Sequence, residues 1–498
     1  MRKLGFFVIF VSFFLFAGCA SATTYYIDIA GNDANSGTSK TTPWMHVPGM
    51  QGCTGVCASA SPNAGDRFIL KGGATWPNST FPIQWSWSGT NGNNIYIGVD
   101  QTWFTGGSWT RPIFDAGGTP ISGTYDMFIH ALSQSNVTWD NIEMKGLNWQ
   151  KTYGYASMAC GVFAGGTNVL LSNWYVHGWS HTGGATTDEF DCVIGDTNAP
   201  YMSGSLIDHM VFDGFDSTNG GDSGGATYSW PQVTNSIIAN CTNGILLTGH
   251  GEVGNNLIYN INQDFDTTVH ENAIESNESD GTTYIHDNVI HNVNYGEASF
   301  LGGNSPSQII YSWNNVYFNL DNANPIHIED RNSSWTGYFF NNTIVPKAGL
   351  PCFLQVGSSA AATIVLENTN CISSGGLDNF TSPISATRNT NLLQTLAVVL
   401  GLGGTSTETY AYSLTSIAGS ILSPGTNASS VWPSGFSTND TSYACTETAG
   451  SGGKVSTCPS RTVNSRTSTG AWDVGAYSYS GTTVSKPAAP TGLTAIVN

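Results

Sequence analysis

The chain has 498 residues, with 34 acidic against 15 basic side chains, a net charge of −19 and only 10% charged residues. That balance excludes the clustered Lys and Arg that phosphate neutralisation demands of a nucleic-acid binder, and it disfavours adhesion to anionic lipid. With 40% hydrophobic residues, 15 Trp and 59 Gly, wholesale disorder is excluded as well, and the composition fits a long β structure with many turns.

Met1-Arg2-Lys3 and the apolar run from Leu4 to Ala17 read as the basic and hydrophobic regions of a secretory signal, residues 1–22, too short for a permanent membrane span. Two processing sites overlap. Ala20-Ser21-Ala22 suits cleavage before Thr23, whereas Phe16-Ala17-Gly18-Cys19 resembles a bacterial lipobox, in which a lipidated Cys19 would anchor the chain to a membrane. Either route takes the mature chain out of the cytoplasm, as a secreted protein or a cell-surface lipoprotein.

Nine cysteines lie beyond Cys19, so at least one is unpaired or pairs between chains. Cys53 with Cys57 and Cys445 with Cys458 suit local disulfides in an oxidising compartment. Cys160, Cys192, Cys241, Cys352 and Cys371 fall inside apolar strand-like runs and read as small buried hydrophobes.

A unit of β-type residues, Asn, any residue and an apolar residue recurs along the chain, with its Asn at 141, 173, 235, 256, 288, 315, 342 and 368 and a degenerate copy at His209. The steps between copies run from 21 to 36 residues, a period that suits one coil of a solenoid. A second strand-like run falls midway, as in Cys192-Val193-Ile194-Gly195, Asn272-Ala273-Ile274-Glu275 and Ile326-His327-Ile328-Glu329. Short strands without a helical apolar period predict an all-β, parallel β-helix in which the asparagines stack in a turn. An antiparallel sandwich would instead show hairpin dipeptides every 8 to 12 residues.

Three stretches carry a family resemblance: Tyr25-Tyr26-Ile27-Asp28 with Gly31-Asn32-Asp33 ahead of Pro43-Trp44, Ala64-Gly65-Asp66-Arg67 through Lys71, and Arg111-Pro112-Ile113-Phe114-Asp115. With the Asn repeat and the ending Ala471-Trp472-Asp473-Val474-Gly475, the chain resembles the secreted right-handed parallel β-helix proteins of the pectate-lyase-like superfamily. That resemblance implies fold more than chemistry, because the superfamily holds lyases, hydrolases, epimerases and non-catalytic surface proteins. Residues 23–120 are assigned to an N-terminal cap and first coils, 121–400 to the β-helix proper and 401–480 to C-terminal coils or cap. Residues 481–498 form a linker that resembles the start of a fibronectin type III module.

If Ile274, Ile326 and Ile328 point inward, alternation turns Glu275, His327 and Glu329 outward, and inward Ala298 and Phe300 leave Glu297 and Ser299 outward. The stripe Glu275, Glu297, Glu329 lies near six acids gathered in the 17 residues from Asp264 to Asp280. Stacked carboxylates serve glycoside hydrolysis. They also serve Ca²⁺, with Asp264, Asp266 and Glu271 as the ligand set. His270 or His327 would support Glu275 as general acid or base. Thr248-Gly249-His250-Gly251-Glu252 is superficially similar to the Gly-His-Gly signature of polygalacturonase-type hydrolases, which places His250 and Glu252 at the substrate; no Asp-Asp pair precedes it. An eliminating enzyme would need a base such as Lys145, Lys151 or Arg331; Arg331 is also a candidate substrate contact or a salt-bridge partner for Asp330. An acidic groove fits neutral glycans better than polyuronates. Trp76, Trp85, Trp87, Trp103, Trp109, Trp149, Trp174 and Trp179 would stack on sugars only where exposed. The reading is a polysaccharide-cleaving hydrolase or lyase, with a non-catalytic adhesin, surface-layer or carbohydrate-binding scaffold as the alternative.

Overall fold

The computed structural model describes residues 22–121, 125–149, 159–181, 191–196, 202–214, 224–247, 250–261, 271–276, 281–294, 296–303, 306–321, 323–329, 334–356, 362–401, 425–450, 453–478 and 494–495. Within them the chain winds as a right-handed parallel β-helix. Three sheets of 13, 10 and 14 strands run along the molecule, each strand bonded to its counterpart one coil away. Pairing in the coils is parallel, from Tyr25 with Phe68 near one end to Leu366 with Arg388 near the other. That register is incompatible with a sandwich of hairpins. Antiparallel exceptions are the hairpin Thr446–Gly450 with Gly453–Thr457 and the contact of Thr494–Ala495 with Leu392 and Leu393.

Local alternation makes these strands. In Thr282–His286, Thr283 and Ile285 are buried while Thr282, Tyr284 and His286 are half-buried, the period-two pattern of a sheet with one face in a core. A continuous apolar core fills the interior from Ile27 to Ile384, so each coil hides its apolar face mainly against its neighbours. Trp76, Trp85, Trp149, Trp174 and Trp179 are spent there.

The Asn repeat sits at the turn between the 13- and 14-stranded sheets, where it resolves into two columns that the sequence reading merged. The outer column, which includes Asn235, Asn255, Asp287, Asn314, Asn341 and Asn368, adopts φ of 50 to 59°, a left-handed conformation that Asn and Asp tolerate. The next residue points inward. Asn256, Asn288, Asn315 and Asn342 are fully buried, and the Oδ1 atoms of Asn288, Asn315 and Asn342 accept backbone N–H bonds of 3.0 to 3.1 Å from the preceding coil. Stepping from Asn235 to Asn256 crossed from one column to the other; bonded partners Asn235 and Asn255 are 20 residues apart. A second ladder, Asn240, Asn260, Asn292 and Asn319, closes the far end of the strands in the 14-stranded sheet, with amide bonds of 3.0 to 3.3 Å.

Disulfides join Cys53 to Cys57 and Cys445 to Cys458, and also Cys160 to Cys192 and Cys352 to Cys371. The last two pairs correct the reading of these four residues as lone hydrophobes. Coil stacking sets residues 32 and 19 positions apart side by side, and the Cys160 N–H donates to the Cys192 carbonyl at 2.7 Å. Cys241 is the free thiol among the described residues, pushed far up in pKa by burial.

Residues 425–450 and 453–478 run back along the turn side of the solenoid. The Ser442 N–H donates to Asp287 at 2.8 Å, Asn314 Nδ2 to the Asn439 carbonyl at 3.1 Å, and Lys454 pairs with Asp213. This strap covers the outer Asn column.

Candidate active site

On the 10-stranded sheet each strand keeps two consecutive residues in the core and turns the flanking pair outward. Ala273 and Ile274 are core between Asn272 and Glu275, as Cys192 and Val193 are between Asp191 and Ile194. Register then builds two outward columns. One holds Asp191, Gly225, Asn243, Asn272, Glu297 and Asn324; the other holds Ile194, Tyr228, Leu246, Glu275, Phe300 and His327. The parity expected for the strand Glu297–Gly302 is therefore off by one from Ser299 onward. Phe300 follows Glu275 on the outer face, whereas Ser299 points inward with its Oγ 3.1 Å from the Tyr317 hydroxyl. Ala298 and Ser299 are both inward, so strict alternation fails where the strand bends out of the preceding turn.

Asp191 is the most perturbed group on this face. It is fully buried, and among the described residues neither carboxylate oxygen has a hydrogen-bond partner. Burial, with the Glu275 charge adding to it, raises its pKa from 3.8 to about 7. A carboxyl in such surroundings is held protonated until near neutrality. Gly225 makes room for it, since a Cβ there would lie 2.0 Å from Asp191 Oδ1. The column continues with amide atoms that have no partner among the described residues, Asn243 Nδ2 and Asn272 Oδ1, while Asn243 Oδ1 accepts the Asn272 N–H at 2.6 Å. Asn272 Nδ2 donates to Glu275 Oε2 at 2.6 Å, which fixes the Glu275 side chain. Three buried polar side chains with open valences side by side form a cradle for polar ligand atoms.

Two coils further on, His327 Nδ1 lies 3.1 Å from Glu297 Oε1, and Asn324 Nδ2 donates to the same oxygen at 3.4 Å. Phe300 packs edge-on against the His327 ring at 4.5 Å. His327 Nε2 is buried without a partner among the described residues.

The structure thus brings Glu297 to His327, and Glu275 to Asn272 and the field of Asp191. Glu329 stands one column over, beside Gly302. Glu271 is fully buried, its carbonyl accepting the Glu297 N–H at 3.0 Å. Glu252 belongs to the 13-stranded sheet, where it pairs with Gln232 and Tyr284, and His250 directly precedes its strand Gly251–Gly254, so neither shares a sheet with Glu275. Lys145 is in the 14-stranded sheet at 3.4 Å from Asp115. Asp264, Asp266, His270, Lys151, Asp330 and Arg331 lie outside the described residues. Among the described residues no three His, Cys, Asp or Glu side chains gather as a metal set. Sequence reasoning missed Asp191 because the repeat was aligned on Cys192-Val193-Ile194; starting one residue earlier sets Asp191 in line with Asn272.

No family model matches the chain, and no curated protein sequence matches it significantly. Solved structures do. A GH136 lacto-N-biosidase from Eubacterium ramulus aligns over 75% of this chain and 68% of its own at 10% identity and a TM-score of 0.45. The pectate lyase Pel9A aligns over 84% and 95% at 16% identity and a TM-score of 0.42. PfbA, a surface adhesin of Streptococcus pneumoniae, aligns over 67% and 82% at 11% identity and a TM-score of 0.35. The fold, a right-handed parallel β-helix, rests on the three parallel sheets themselves. At these identities the likeness reaches no further than fold.

Proposed function

We propose that this chain is an exported glycoside hydrolase acting on a neutral polysaccharide along the outer face of its 10-stranded sheet. The observation that carries the reading is the pair Asp191 and Glu275: one carboxyl pushed up in pKa by burial, the other held in place by Asn272. Environments that set two carboxyl groups apart in this way divide the labour of glycoside cleavage. Asp191 gives its proton to the departing glycosidic oxygen and Glu275, three rungs away, activates water, the role that suits the wider carboxyl spacing of an inverting enzyme. Glu297 orients His327 through Nδ1, leaving Nε2 to bond a sugar hydroxyl. Asn243 and Asn272 offer neutral amide contacts beside the acid.

Hydrolysis is favoured over elimination by what lines the face. The described strands of the 10-stranded sheet offer this face carboxyls, amides and His327 and, among themselves, no Lys or Arg, which supports acid–base cleavage by carboxyl groups; the candidate bases Lys151 and Arg331 lie outside the described residues. Export rests on the signal-like residues 1–22, with four disulfides in keeping with an oxidising compartment. Calcium at Asp264, Asp266 and Glu271 belongs to the same proposal as a structural ion; a fall in the unfolding midpoint on adding EDTA would support it, and an unchanged midpoint would remove it.

The test is incubation of the mature chain with neutral and uronic polysaccharides, scoring reducing ends and unsaturated products together. Reducing ends alone, lost in both Glu275→Gln and Asp191→Asn, are expected. Unsaturated products would overturn hydrolysis, and unchanged turnover in Glu275→Gln would remove that residue. Retained binding with no turnover by the parent chain would make this a binding scaffold.

A further inference from the structure

A second cluster of polar and aromatic groups lies on a different face. Along the outer side of the 13-stranded sheet, register sets Gln232, Glu252, Tyr284, Tyr311 and Tyr338 in one column. The three tyrosines stack, with centroids 5.8 and 4.9 Å apart and planes within 15°. The ring ladder ends at Tyr284, because the next position is Glu252. Where another ring would continue the stack there is instead a cavity of about 210 Å³, lined by Gln232, His250, Glu252, Tyr284 and Phe436 together with Ser203 and Gly204. Phe436, from the C-terminal strap, leans on Tyr284 at 4.8 Å and 47° and forms the second wall.

The carboxylate in this cavity is held rigidly. Glu252 Oε1 lies 3.1 Å from His286 Nε2, and His286 Nδ1 lies 2.8 Å from Asp287. Gln232 Nε2 reaches Glu252 Oε2 at 3.4 Å. Trp313 stacks flat on the His286 ring at 4.4 Å, so the imidazole cannot swing away. Asp287 in turn accepts the Ser442 N–H of the strap, which ties the strap that carries Phe436 to the floor of the cavity.

We infer that this cavity is a binding pocket for one neutral sugar residue of a glycan, separate from the cleavage face. An open aromatic face takes the C–H side of a pyranose ring, and a fixed carboxylate with an adjacent amide takes its vicinal hydroxyls. Glu252 repels uronates and sulfated sugars. The volume is below the 300 to 1,000 Å³ of pockets for drug-sized ligands and suits a single ring with the rest of the chain outside. Because Glu252 and Glu275 belong to different sheets, such a pocket would hold a polymer to the enzyme without occupying the catalytic columns.

The test uses the full mature chain in a Glu275→Gln background, which removes turnover from the measurement. Binding of neutral and uronic oligosaccharides is followed by calorimetric titration, alone and with Glu252→Gln or Phe436→Ala added; near-ultraviolet circular dichroism confirms the fold of each. Preference for neutral sugars, with affinity falling about ten-fold in Glu252→Gln through loss of a charge-assisted bond and also falling in Phe436→Ala, is expected. Equal affinity across all three proteins would place binding elsewhere and overturn the pocket. Absence of binding to any neutral sugar would overturn it as well, whatever the parent chain's turnover on polymer shows about the cleavage face.

Discussion

Asp191→Asn should make the protein more stable and inactive, and the gain should depend on pH in a direction opposite to ordinary acid denaturation. A carboxyl whose folded pKa is about 7 against 3.8 unfolded holds its proton more tightly in the native state. Its favourable contribution is complete below pH 3.8 and is lost as pH rises to 7, because the unfolded chain then ionises freely while the native one does not. The shift of about three units corresponds to a cost on the order of 4 kcal/mol at pH 8. Amide replacement keeps shape, removes the titration and should recover most of that amount at pH 8 but little at pH 4. Urea unfolding of parent and variant at pH 4, 6 and 8 measures the difference directly, with the change in midpoint read at constant slope. A stability difference that stays flat across this range would refute the claim that Asp191 is a buried, unpaired acid. Glu275→Gln should deliver a smaller part of the same gain, since burial is the larger cause of the shift and the Glu275 charge the lesser.

Asn315→Ala should cost about 2–6 kcal/mol, because it strands the buried Asn288 N–H and the Ile285 carbonyl, which Asn315 now bonds at 3.0 and 2.9 Å. Asn319→Ala, in the exposed second ladder with one bond of 3.3 Å, should cost well under half of that, and equal losses in parallel urea titrations would refute the distinction. His286, raised from 6.5 to about 9 as Asp287 and Glu252 overcome its burial, contributes stability that is full below pH 6.5 and lost as pH rises through 9; His286→Gln should flatten that decline in melting scans. Removing the Cys160–Cys192 bridge, which closes a loop over a separation of 32 residues, should cost about 3 kcal/mol, while Cys241→Ala, with no bridge to lose, should cost about 1 kcal/mol or less for its buried sulfur; mass spectrometry of alkylated protein verifies the pairing.

Much of the architecture is legible in the residues themselves. Asn in the turn, β-branched and apolar residues beside it, and a return every 20 to 36 positions specify stacked coils, because a backbone turn of positive φ and a buried amide ladder are local demands that few residue types meet. The outward position of Glu275 and His327 follows from the same local alternation. Column identity is another matter. Whether Glu297 meets Glu275 or His327 depends on how far each strand bends at the turn before it, which shows only when neighbouring coils are laid in register. The partnership of Asp191 with Glu275 spans 84 positions and three rungs, and the raised pKa of Asp191 arises from burial, a property of everything packed around it. In the same way His250 and Glu252, close to Glu275 in sequence, are set apart from it by the two corners on either side of Leu257–Ile261. Sequence alone determined the coil and its turns, since those are set by residues within a few positions of each other. Tertiary stacking decided which acids share a field, because that depends on contacts between coils whose lengths the chain varies freely.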